Sequence, residues 1–263
     1  MIGAIAGDVI GSAYEKAPPM EKDFLLFSEC SKVTDDTVMT VAVASAIRES
    51  EDFAVALRKW GRRYPQVGYG GRFKEWLFDD AAPAYNSFGN GSAMRVAPVG
   101  WAYDDLDTVL REAARSAEVT HDHPEGIKGA QAIAGAVLLA RKGEGKNAVA
   151  AFLSQRFAYD LDTDLATMHC RGGFDITCQG TVPKAAVSFL ESTDFEDAVR
   201  NAVSLGGDAD TNACITGALA EAHYGAVPQT IQAEAFRRLD SRLRGEVATF
   251  AETHGIPLRI DLP

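Results

Sequence analysis

The stretch PEGIKGAQAIAGAVLLARK, residues 124–142, decides the fold class. Ile127, Ala130, Ile133, Ala134, Val137 and Leu138 recur at intervals of three and four, which puts them on one face of a 3.6-residue period. Pro124 has the fixed φ that suits a first helical turn. The spacing predicts a helix. The same periodicity runs through residues 35–49, 52–61, 104–118, 194–204, 209–224 and 230–252, each bounded by Gly, Pro or an acidic cluster such as Tyr103-Asp104-Asp105. Strand alternation is almost absent, so the expected fold class is all-α. Many of these segments are rich in Ala and Gly, which lets helices approach closely and predicts a compact multilayer bundle. The sequence contains no repeat of fixed period, no low-complexity run and no linker. Residues 1–263 are therefore read as one domain.

Composition narrows the function. With 37 Asp and Glu against 26 Lys and Arg, the net charge is -11, which argues against general capture of nucleic acid or anionic membranes. Cys30, Cys170, Cys178 and Cys214 are scattered without a C-x-x-C pair, as expected of reduced thiols in a cytoplasmic protein. MIGAIAGDVIGSAYE at the N-terminus is apolar but lacks a basic lead-in, contains Asp8 and is too short to span a bilayer. The expectation is a cytoplasmic monomer.

Two segments share one design. TDDT, residues 34–37, precedes the apolar run VMTVAVASAI, and GGDADTNACITGALAEA, residues 206–222, again sets acids and a threonine before a small-residue helix. Asp and Thr at such positions cap free N–H groups and complement the helix dipole. One acid meets that need, whereas Asp35, Asp36, Asp208 and Asp210 make four, with no Lys or Arg inside either cluster. Carboxylates and threonine hydroxyls are hard oxygen donors suited to Mg²⁺, Mn²⁺ or Ca²⁺, not to zinc. On residue chemistry alone, a shared metal site and two elaborate caps both remain open.

GAIAGDVIGSAYE, TDDTVMT, GNGSAMRVAP, THDHPEGIKGAQAIAGA and GGDADTNA, in that order between residue 2 and about residue 225, closely resemble the ADP-ribosylglycohydrolase family. The resemblance implies an all-α orthogonal bundle and two divalent metal ions, Mg²⁺ or Mn²⁺. It implies ligands at Thr34, Asp35, Asp36, Asp208, Asp210 and Thr211, with Glu15 as the glutamate of the G-D-x-x-G-x-x-x-E motif. The implied substrate is an ADP-ribosylated protein or another ADP-ribose derivative. Its distal ribose would be held at the metals, with Asp35 or Glu15 as general base toward the anomeric carbon.

Gly89, Asn90, Gly91 and Ser92 form a small-residue loop whose N–H groups suit a pyrophosphate, and the family pattern places a binding loop there. Arg95 reads equally as a phosphate clamp or as a structural ion pair. In THDHP the resemblance assigns His123 to substrate binding and leaves His121 to structure. Tyr69 and Phe174 are the candidates to stack on adenine. A thiol nucleophile built from His169, Cys170 or Cys178 lacks a third, orienting group and is set aside.

One departure bears on the substrate. Family members that cleave ADP-ribosyl-arginine carry an acid in the loop that here reads GRRYPQVGYGGRF, yet residues 61–71 contain no Asp or Glu. Arginine is expected first on family grounds. Serine linkage, O-acetyl-ADP-ribose and non-catalytic binding are the alternatives, and Glu75, Asp79 and Asp80 are the acids nearest to the gap.

Overall fold

Gly3, Gly7 and Gly11 recur every fourth residue along the helix Ile2–Gly11, and this stripe decides how the bundle closes. A Cβ at each would lie 2.2, 2.0 and 2.4 Å from the carbonyl oxygens of Gly217, Ala213 and Ala209, respectively. Only bare backbone fits against bare backbone, so this helix runs antiparallel against Ala209–Tyr224 in the most extensive helix pairing of the fold. Glu221 pins the register: it is buried and accepts from the Met1 α-amine, from Ile2 N at 3.2 Å and from Gly3 N at 2.9 Å. The crossing sets Asp8 beside the start of Ala209–Tyr224.

The computed structural model describes residues 1–19, 21–171 and 173–260, apart from the side chains of Cys170 and Arg171. Helices span Asp35–Glu49, Phe53–Gly61, Leu106–Glu118, Pro124–Arg141, Phe195–Ser204 and Ala209–Tyr224, as the periodicity predicts. Among the described residues there is no strand, only an isolated antiparallel bridge between Gly89 and Thr177. Pro124–Arg141 packs on Leu106–Glu118, and Ala209–Tyr224 packs on Phe195–Ser204 and Cys178–Leu190. Buried apolar residues from Met1 to Ile256 form one cluster.

The sequence reading did not specify the shorter helices Gly71–Phe78, Ala97–Ala102, Lys146–Ala151 and Leu165–Arg171, and three longer elements also differ from it. Residues 2–11, weighed there only as a targeting or membrane segment and rejected as one, form a helix buried on every side. The single helix read across 230–252 is two, Gln229–Arg237 and Ser241–Thr253. Asp240 caps the second by accepting from Arg242 N and Leu243 N, and Arg244 satisfies the end of the first at the carbonyls of Phe236 and Leu239. Helix Cys178–Leu190 has Pro183 in its interior, a residue that argues against a helix when read locally.

The glycine stripe yields a paired test. Gly7→Ala places a methyl within 2.0 Å of Ala213 O and should destabilise the fold by about 1–3 kcal/mol or more. Gly245→Ala, on a helix with open space around it, should stabilise by about 0.5–1 kcal/mol. Urea midpoints measure both; a neutral Gly7→Ala would refute the close crossing.

Candidate metal centre and ligand cavity

The two acidic clusters meet. Thr211 Oγ1 donates to Asp36 Oδ2 at 3.3 Å, across 175 residues of sequence. One carboxylate oxygen from each of Asp8, Asp36 and Asp210 lies within 4.8 Å of the others. Capping accounts for little of this. Thr34 caps Asp35–Glu49 by accepting from Asp36 N at 3.2 Å, which leaves both following aspartates free of that task. Asp208 stands at the N-cap of Ala209–Tyr224 but makes no side-chain cap bond, and its Oδ2 accepts instead from Asn90 Nδ2 at 2.6 Å.

Asp8 has a separate role. Its carboxylate accepts from Thr34 N at 3.2 Å, Thr34 Oγ1 at 2.6 Å, Thr37 N at 3.0 Å and Thr37 Oγ1. Three of these four donors bond Oδ2 and one bonds Oδ1, so Asp8 anchors the Thr34–Thr37 turn while Oδ1, like its neighbours, keeps an open lone pair. Asp36 Oδ1 is the clearest of these: buried, with no hydrogen-bond partner among the described residues. An orphaned buried carboxylate oxygen is costly unless a cation answers it.

Electrostatics agree with that demand. Burial, then Asp210, push Asp8 up to about 7, and burial followed by Asp210 and Asp8 do the same to Asp35. Burial and neighbouring acids raise Asp36 and Asp210 further, and burial raises Asp208 despite the Asn90 bond. Glu15, on the exposed turn after the first helix, adds its charge against Asp35, Asp208 and Asp210, so it faces the same cluster. Hard oxygen donors, mutual repulsion and an orphaned oxygen fit divalent cations.

A cavity of about 750 Å³ opens over the acids and is lined by Glu15, Thr34, Asp35, Asp36, Asp208, Asp210 and Thr211. This volume suits a small-molecule ligand. Gly89, Asn90 and Gly91 line the wall, while Ser92 turns into the core and donates to Gly126 O at 2.7 Å. Phe174 lines the cavity and is exposed at its rim. Tyr69 is buried against Phe73, with ring centroids 5.5 Å apart, and is not among the lining residues.

The histidines divide unexpectedly. His121 is buried and lines the cavity. His123 does not line it; its Nδ1 caps Pro124–Arg141 by accepting from Glu125 N at 3.1 Å, and its ring packs on Phe88. Arg95 lines the cavity without a carboxylate partner among the described residues, held by Ser116 O and Thr120 Oγ1. The Cys178 thiol donates to Gly89 O at 3.1 Å and burial pushes it up to about 11, which disfavours a thiolate there; the Cys170 side chain lies outside the described residues.

The ADP-ribosylglycohydrolase family model matches residues 1–254. The chain belongs to this family. It is 28% identical to human ADP-ribosylhydrolase ARH3 over 88% of this chain and 86% of that protein. An uncharacterised protein of Archaeoglobus fulgidus is 32% identical over 74% of this chain and 73% of its own length. A solved ADP-ribosylglycohydrolase-related protein complex superposes with TM-score 0.70 at 28% identity, covering 95% of both chains.

ADP-ribosylglycohydrolases hydrolyse ADP-ribose linkages, and the buried aspartate cluster is where this member can bind metal. The sequence reading did not assign Asp8 or His121 to the site. A signal for Asp8 was present in the four-residue glycine spacing around it, since a helix face without side chains must lie on another backbone. A signal separating His123 from His121 was present in Pro124, since a helix starting there leaves His123 at the N-cap. Among the described residues, no helix is long and apolar enough to cross a membrane.

Proposed function

We propose that this family member cleaves the glycosidic bond at C1″ of ADP-ribosylated side chains and releases ADP-ribose. The reading assigns two divalent cations, Mg²⁺ or Mn²⁺, to Thr34, Asp35, Asp36, Asp208, Asp210, Thr211 and Glu15. The observation that carries it is the Thr211–Asp36 hydrogen bond, which brings both donor groups to one cavity floor. When bound, such ions orient ribose hydroxyls and activate water.

The chain's own groups supply the rest. Asp35, half-buried at the cavity floor and pushed up to about 7, takes the proton from the attacking water, with Glu15 as the other candidate base. Asn90 holds Asp208 in place through its 2.6 Å bond and belongs to the loop that would seat the pyrophosphate, so ligand and metal positions are mechanically linked. Phe174 at the rim offers a face to adenine; Tyr69, turned into the core, is the weaker candidate. His123 would act on the ligand only indirectly, through the helix that it caps.

The cavity wall bears on the linkage. Gln66, Val67, Gly68 and Gly70 line it beside Asp35 without an acid, and Lys16, Lys32 and Arg72 add positive charge. Glu75, Asp79 and Asp80 do not line it; Asp80 pairs with Arg62 at 2.5 Å and Asp79 accepts from Ala81 N at 2.9 Å. A guanidinium leaving group would face cations there with no carboxylate beyond the metal ligands. This favours a hydroxyl linkage such as ADP-ribosyl-serine or O-acetyl-ADP-ribose over arginine. With Mg²⁺ or Mn²⁺ present, serine-modified protein should turn over at least about tenfold faster than arginine-modified protein, a barrier difference of about 1.4 kcal/mol. The reverse preference would restore the arginine reading. Binding of ADP-ribose without turnover of either substrate would leave a non-catalytic binding protein.

A further inference from the structure

Arg95 is fully buried, and its guanidinium donates to Ser116 O at 2.7 Å and to Thr120 Oγ1 at 2.9 Å. Thr120 is equally buried, and its Oγ1 lies 2.7 Å from His121 Nδ1. A guanidinium carries donors only, so the threonine oxygen must accept from it. Among the described residues, Nδ1 is then the remaining partner for the hydroxyl proton. If Nδ1 carried a proton instead, that hydroxyl would be buried with no acceptor, a costly arrangement. The proton of the neutral ring therefore belongs on Nε2.

Nε2 is at the ligand wall. It lies 3.0 Å from where a Cβ on Gly91 would stand and 3.6 Å from one on Gly89, and the ring lines the cavity. No hydrogen bond within the described residues engages Nε2.

We propose that Arg95 and Thr120 are positioning residues that lock His121 as its Nε2–H tautomer, presenting one fixed donor to an anionic ligand group at the Gly89–Gly91 turn. The pyrophosphate as that group rests on the function proposed above; the relay itself does not. Burial and the Arg95 charge hold His121 well below its ordinary pKa, in keeping with a neutral ring. The relay joins the segment that carries the loop to the segment after Leu106–Glu118, two stretches with no sequence proximity.

Long-range ¹H–¹⁵N correlation on the full chain, with its five histidines ¹⁵N-labelled and His121→Gln used for assignment, tests this. At pH 7.5 His121 should show the Nε2–H pattern. Thr120→Val should shift it toward the Nδ1–H form and weaken ADP-ribose binding about tenfold, while Thr120→Ser, which keeps the hydroxyl, should preserve both. An Nδ1–H or averaged wild-type pattern, or a Thr120→Val spectrum unchanged from wild type, would overturn the relay. The wild-type spectrum alone decides the tautomer if Thr120→Val does not fold. An intact Nε2–H pattern in a protein that fails to bind ADP-ribose would support the relay and sink the proposed ligand.

Discussion

A variant with Asp208→Ala and Asp210→Ala should release ADP-ribose roughly a thousandfold more slowly or worse, about 4 kcal/mol of lost barrier reduction. The same variant should lose its melting response to Mg²⁺. For the parent, ligand at a hundredfold excess over its dissociation constant adds about 2.7 kcal/mol, or roughly 5–10 °C for a chain of this size. The metal-free comparison should run the other way. Burial and like charge hold both carboxyls above their ordinary range, so removing them relieves repulsion even though the Asn90 partner is lost. Metal-free variant protein should therefore melt no lower than metal-free parent. That opposition of signs separates loss of ligands from simple misfolding. A Mg²⁺-induced shift that survives both substitutions would remove these aspartates from the metal centre.

Mg²⁺ should stabilise the parent progressively more as pH rises from about 4 through about 7. Unfolded aspartates titrate near pH 4, whereas Asp8 and Asp35 in the fold are pushed up to about 7. Between those limits the folded state holds protons that the unfolded state has released, so metal-free stability falls with rising pH. Below both values the groups are protonated in either state and contribute nothing. Cation binding replaces those protons, which weakens affinity in acid and cancels repulsion at neutral pH. His121, kept neutral by burial, slopes oppositely below its unfolded pKa, but equally with and without metal. The difference between urea midpoints in Mg²⁺ and in EDTA at pH 4.5, 6 and 7.5 isolates the cluster. A constant difference would mean that the acids do not hold the ion.

Local periodicity was enough for six of the helices, because each records which face it buries within one or two turns. Asp35–Glu49 and Ala209–Tyr224 are bounded as the pattern predicts, since their acids and threonines mark the first turn. Where a helix lacks that signature the reading failed. Ile2–Gly11 is buried all round and has no polar face to set a period, and Pro183 obscures Cys178–Leu190. The chemistry of the donors was legible in part: four carboxylates with no Lys or Arg inside either cluster suit a cation, but on residue chemistry alone capping stayed equally open until Thr211 and Asp36 were seen to meet.

What the chain order could not express was mutual position. Asp8 comes within reach of Asp210 because three glycines let two backbones touch, and that contact is a property of the pair of helices. His121 and His123 are two residues apart and chemically alike; the helix that begins at Pro124 spends the ring of its N-cap, His123, on its own N–H group, while His121 lines the cavity. Asp80 is withdrawn from the ligand wall by Arg62, eighteen residues earlier. Residue identity and local spacing determined which groups can bind a cation or build a helix. Direction, burial and company were decided only by packing, because they depend on contacts between segments far apart in the chain.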